Sequence, residues 1–70
     1  MKLSARNTLK GTVKQVHPGA VNAEVTVEIA GGQQVVSIIT MDSVKDLGLA
    51  PRKAVYVVIK ASNVMIGVDH

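Results

Sequence analysis

A chain of 70 residues has room for one domain, spanning 1–70, and too little interior to be stabilised by burial alone. It has no cysteine, and His17 and His70 cannot form a zinc site by themselves, so self-association is the remaining route to stability. The net charge of +3 favours anionic partners, yet the absence of Phe and Trp argues against a platform that stacks nucleic-acid bases.

Segment 6–16 alternates in part, with Leu9, Gly11 and Val13 on one side and Lys10, Thr12 and Lys14 on the other. Lys2, Arg6, Lys10 and Lys14 are spread out rather than clustered, the pattern of a solvated basic face. His17-Pro18-Gly19 signals a turn, because Pro fixes φ and Gly tolerates positive φ. Segment 21–29 then alternates cleanly. Val21, Ala23, Val25, Val27 and Ile29 are expected to face a core, with Asn22, Glu24, Thr26 and Glu28 facing out. Ala30-Gly31-Gly32-Gln33 reads as a hairpin turn, and 34–40 follows as a strand apolar on both faces.

Residues 41–48 change period. Val44, Leu47 and Gly48 recur at helical spacing while Asp42, Lys45 and Asp46 turn outward, which predicts one helix of about two turns. Thr40 stands at the N-cap position, Gly48 at the stop, and Pro51 bars continuation. Residues 54–61 form another strand apolar on both faces, and 64–68 is expected as a short last strand. This order predicts an all-β domain with one short helix: a five-stranded OB-type barrel with the helix between strands 3 and 4.

A barrel this small has one interior, so Val36, Ile38, Val55, Val57 and their alternates cannot all point into it. The remainder would aggregate in water unless a further subunit covered it, so a homo-oligomer is expected. The N-terminus lacks the apolar run of a secretory signal, and no stretch approaches the ~20 apolar residues of a membrane span. A cytoplasmic location without membrane contact is expected.

The candidate chemistry lies in two strings, Ser4-Ala5-Arg6-Asn7 and Lys60-Ala61-Ser62-Asn63. Each sets a cation beside small hydroxyl or amide side chains and an alanine too small to block a backbone N–H. The result is a donor-only set for a small anion, with a forked guanidinium and a point charge. Lys60 follows a run of apolar strand residues and is expected to be half-buried, where an unpaired ammonium is costly. Thr40 and Ser43 would set hydroxyls beside unpaired N–H groups at the positive end of the helix; Asp42, in the same turn, must point outward. Gly19-Ala20-Val21-Asn22 combines accessible backbone N–H groups with an amide donor. Structural readings stay open for each. Ser4 and Asn7 could simply start a strand, Arg6 could pair with Glu24 or Glu28, Thr40 and Ser43 could only cap the helix, and 19–22 could be only a tight turn.

Together with Gly19-Ala20-Val21-Asn22-Ala23-Glu24 and Val64-Met65-Ile66-Gly67, in this order and spacing, the two strings resemble those of the molbindins. These are the small Mop-type proteins that bind molybdate and tungstate, and the resemblance runs over essentially the whole chain. It implies a homohexamer built as a trimer of dimers. It further implies an oxyanion site joining Ser4, Arg6, Lys60 and the N–H of Ala61 from one chain to Thr40 and Ser43 of an adjacent subunit. A second kind of site is implied at Gly19, Ala20, Val21 and Asn22. The chain departs from the family pattern at Arg52, where a glycine is usual, which leaves the conformation of the 50–53 turn open.

No Ser/His/Asp set, paired carboxylates, Gly-rich nucleotide loop or metal constellation is present, so no enzymatic activity is expected. Molybdate or tungstate is the expected ligand. With Tyr56 the one aromatic residue, no organic cofactor such as a pterin is expected. The function expected is intracellular molybdenum storage and homeostasis. The alternatives are a regulatory or assembly module of molybdate transport, disfavoured by the lack of an appended domain before the end at His70, and a nucleic-acid-binding OB-type domain.

Overall fold

The computed structural model describes residues 1–69, so His70 lies outside the described residues. Strands β1 (Asn7–Pro18), β2 (Asn22–Ile29) and β3 (Gln34–Thr40) run consecutively, followed by helix α1 (Met41–Leu47) and strand β4 (Ala54–Ile59). All neighbours are antiparallel, in the order β3-β2-β1-β4, so β1 lies between the second strand and the last. The valine-rich alternation produces this arrangement: Val13, Ala23, Val25 and Val27 project from the concave face and are buried, and Val44 of α1 closes over them. Ile39, Met41, Leu49, Val55 and Val57 pack around that cluster.

Local chemistry sets the ends of each element. At the β2–β3 turn Gly31 and Gly32 take φ of 86° and 82°, and the Ile29 N–H donates to the Gln33 carbonyl at 2.8 Å. Thr40 caps α1 by accepting the Ser43 N–H, and Gly48 ends it in a left-handed conformation. The register of β1 against β2 slips between Val13 and Gln15, a bulge that bends β1 and helps curl the sheet. Arg52 adopts φ of 78°, so the 50–53 turn keeps a left-handed residue although the position is not glycine. Two ladder-like bonds fix that turn to the core strand, Arg52 N–H to Val13 O at 2.8 Å and Val13 N–H to Lys53 O at 2.9 Å.

Three expectations are corrected. Residues 64–68 are not a strand: they follow a 3₁₀ turn, Ala61–Asn63, and have no ladder partner among the described residues. Met65, Ile66 and Val68 are 92%, 87% and 84% exposed. A strand is defined by its hydrogen-bonded neighbour, and an apolar sequence alone does not supply one. Val21 does not face the core but is 71% exposed, because the loop 19–21 precedes the first paired residue of β2. Lys60, expected to be half-buried, is exposed, since the chain leaves the sheet at Ile59.

With four strands the sheet curls without closing. A cavity of about 190 Å³ reaches between β3 and β4 to the core, lined by Ser37, Ile39, Leu47, Leu49, Val55 and Val57 among others. Both edge strands also present apolar outer faces, Val36 and Ile38 on β3 and Tyr56 and Val58 on β4.

Candidate oxyanion site

The ladder between β1 and β4 ends at the pair Asn7 and Ile59. Lys60 is still extended, with φ −63° and ψ 132°, and Arg6 and Lys60 are the residues that flank this last rung on the two segments. Ser4 lies just before this rung and Ala61 just after it, at the start of the 3₁₀ turn. The two cation-bearing strings, 54 residues apart in sequence between Arg6 and Lys60, therefore approach at the Asn7–Ile59 rung, where the first string enters the ladder and the second begins one residue beyond it. Neither cation has a carboxylate partner: among the described residues the ion pair is Lys14 with Glu28 at 3.7 Å. The alternative of Arg6 pairing with Glu24 or Glu28 is thus not realised.

Asn7 was the residue of this group most easily passed over. Its Nδ2 donates to the Ile59 carbonyl at 3.3 Å, a bond across 52 residues of sequence. Its place in the first string was visible in the sequence, but its target depends on the β1–β4 register.

Thr40, Ser43 and the loop 19–22 form a second group. Asn22 pairs with Thr40 in the β2–β3 ladder, and the Met41 N–H donates to the Val21 carbonyl at 2.8 Å. The Thr40 hydroxyl donates to Ser43 Oγ at 3.0 Å and accepts the Ser43 N–H at 3.1 Å, leaving the Ser43 hydroxyl proton free to point outward. Asp42 is exposed. At Gly19 a Cβ would stand 2.5 Å from the Asn22 carbonyl oxygen, so the loop closes too tightly for a side chain there. The glycine therefore has a structural reason independent of any ligand.

The two groups stand at opposite ends of β1. Its 12 residues span at most roughly 36 Å at the usual rise per residue. The β1–β4 pairing thus leaves Ser4, Arg6, Lys60 and Ala61 around one end of β1, and the β2–β3 pairing leaves Thr40 and Ser43 with Gly19, Ala20, Val21 and Asn22 around the other. No cluster of His, Cys, Asp and Glu suited to a metal cation occurs among the described residues, and none of their helices is long and apolar enough to cross a membrane.

Residues 3–66 match the TOBE domain. Over 66 residues, 94% of this chain and 97% of the relative, the sequence is 53% identical to molybdenum-pterin-binding protein 3 of Clostridium pasteurianum. The chain belongs to the TOBE-domain family, as a Mop-type molbindin. Among solved molbindin structures, MopII from Clostridium pasteurianum superposes with a TM-score of 0.90 at 46% identity, covering 96% of this chain and 100% of that one. The cytoplasmic molybdate-binding protein ModG, with molybdate bound, superposes at 0.94 and 52% identity; this chain covers 49% of it. The same domain matches 25% of the molybdenum transport protein ModE of Azotobacter vinelandii, at 46% identity over 97% of this chain.

Proposed function

We propose that this molbindin binds molybdate or tungstate at contacts between its own copies and serves as a cytoplasmic store that buffers molybdenum. The observation that carries the reading is the separation of the two donor groups. Ser4, Arg6, Lys60 and the Ala61 N–H lie at one end of β1 and Thr40 with Ser43 at the other. In this reading a second copy brings one group to the other. A tetrahedral dianion would take its two charges' worth of compensation from Arg6 and Lys60, which have no carboxylate partner among the described residues. Hydroxyl and backbone donors would fix its orientation. The loop 19–22, with Asn22, would form the second class of site. The ligand is the bare oxyanion and no catalysis is involved.

The assembly in this reading is a homohexamer, a trimer of dimers. Support comes from the apolar segment 64–68, unpaired and exposed, and from the open edges of β3 and β4 beside the core cavity. Segment 64–68 of one copy, laid along an edge of another, would supply the fifth strand of each barrel and remove both liabilities. The match to part of the molybdenum transport protein ModE supports a second reading, as a regulatory or assembly module of molybdate transport.

Light scattering combined with elemental analysis of protein equilibrated with molybdate and then desalted tests the proposal. The expected result is a mass six times the 7.4 kDa chain, with molybdenum retained. A monomer at micromolar concentration, or an oligomer without molybdenum, would overturn it.

A further inference from the structure

We infer that Asn7 is a positioning residue for the oxyanion site, holding the backbone from which Lys60 and the Ala61 N–H are presented to Arg6. This rests on the proposed oxyanion function. The last rung of the β1–β4 ladder is Asn7 with Ile59, and beyond it the ladder stops while the segment after β4 turns into the 3₁₀ stretch Ala61–Asn63. Arg6 and Lys60 each follow directly on that last rung, where ladders fray. Neither has a carboxylate partner among the described residues.

The Asn7 side chain acts at this weak point. Its Nδ2 donates to the Ile59 carbonyl at 3.3 Å, and Asn7 is half-buried. The other side-chain hydrogen bonds among the described residues stay within the Thr40–Ser43 cap, so this is the one that ties distant parts of the chain together. The Ile59 carbonyl shares a peptide plane with the Lys60 N–H, so holding the oxygen orients the Lys60 Cα and the direction in which the next residues leave. Asn7 in turn carries Arg6 on the adjacent peptide unit. One carboxamide thus couples both halves of the cation pair before a ligand arrives. Such preorganisation raises affinity by lowering the ordering cost of binding. It also sharpens size selection, because a fixed gap discriminates between tetrahedral dianions of different radius and a loose one does not.

Calorimetric titration of molybdate and sulfate into the full-length protein and its Asn7→Ala and Asn7→Leu variants provides the test. Leucine keeps the bulk and removes the donor. Both variants are expected to bind molybdate about five- to tenfold more weakly, with the molybdate-to-sulfate affinity ratio falling towards one and oligomer mass unchanged. A merely structural role would lower the melting temperature and weaken both anions by the same factor, and that result would overturn the inference. So would molybdate affinity in Asn7→Leu within twofold of wild type. Should the variants not fold, side-chain amide signals in the wild type decide: Asn7 must be protected from exchange and shift on adding molybdate, and an unprotected, unresponsive signal counts against it. Wild-type protein that binds no molybdate would instead overturn the functional reading and this inference with it.

Discussion

At the residue scale, Arg6 and Arg52 are both arginines on an exposed surface, and they invite opposite experiments. In the proposed site Arg6 makes a planar, forked contact with the oxyanion, and lysine retains its charge but not its geometry. Arg6→Lys is therefore expected to weaken tungstate binding by a large part of a charge-assisted hydrogen bond, about 1.5–3 kcal/mol. Superimposable titration curves for mutant and wild type would remove Arg6 from the site. Arg52, by contrast, holds φ of 78° with its N–H committed to Val13 O. A left-handed conformation costs a side-chain-bearing residue about 1–2 kcal/mol, part of which glycine gives back as unfolded-state entropy. Arg52→Gly should stabilise the fold by roughly 0.5–1 kcal/mol in urea unfolding, and leave ligand affinity unchanged.

Among the elements, β1 carries the greatest constraint. It pairs on both sides, with β2 and with β4, so a side chain at its centre has no slack. At Gly11 a Cβ would stand 2.6 Å from Val27 Cγ1 and 2.8 Å from the Glu28 carbonyl oxygen. The valine methyl can move, but the backbone oxygen cannot without shifting the β1–β2 ladder. Gly11→Ala should therefore destabilise the protein by about 1–3 kcal/mol in denaturant midpoints, the usual cost of overpacking. An unchanged midpoint would show that β1 is more pliable than its two ladders imply. Helix α1 has a different balance: seven residues are too few for a stable helix alone, so its Thr40 cap, its Gly48 stop and the burial of Val44 carry it.

For the whole molecule, ligand binding and assembly should be linked, because the proposed site takes its donors from different copies. A ligand that binds only the assembled state adds its free energy to association, about 2.7 kcal/mol per site at one hundred times the dissociation constant. Molybdate should raise the melting temperature more than sulfate does. Ser43→Ala should shrink that rise while costing the unliganded protein little, since Thr40 still caps through the backbone N–H at position 43. Melting curves indifferent to molybdate would point to a purely structural module. Assembly itself is tested in the tail: Ile66 is 87% exposed in the single chain, so Ile66→Asp costs an isolated subunit nothing. A hexamer that buries this residue should lose mass in light scattering, and a mutant that keeps full mass would exclude the tail from the interface.

The strands, the hairpin and the capped helix were legible in the sequence because each is decided locally. Alternation over 23–29, the Gly31-Gly32 pair and Thr40 with Gly48 are patterns a few residues long, and the structure places each element where its pattern lies. The donor strings were legible too, as residue types. What tertiary structure alone decided depends on pairing between distant segments. The β1–β4 register puts Arg6 and Lys60 next to its last rung, one on each segment, and gives the Asn7 carboxamide its target; the β2–β3 register puts Asn22 beside Thr40. The same physics accounts for the failures. Val21 and Lys60 were assigned by extending an apolar pattern past the last hydrogen-bonded rung, and 64–68 was read as a strand from its composition. Periodicity records which face a side chain prefers, whereas a strand ends where its neighbour does, and for 64–68 no neighbour exists among the described residues of one chain.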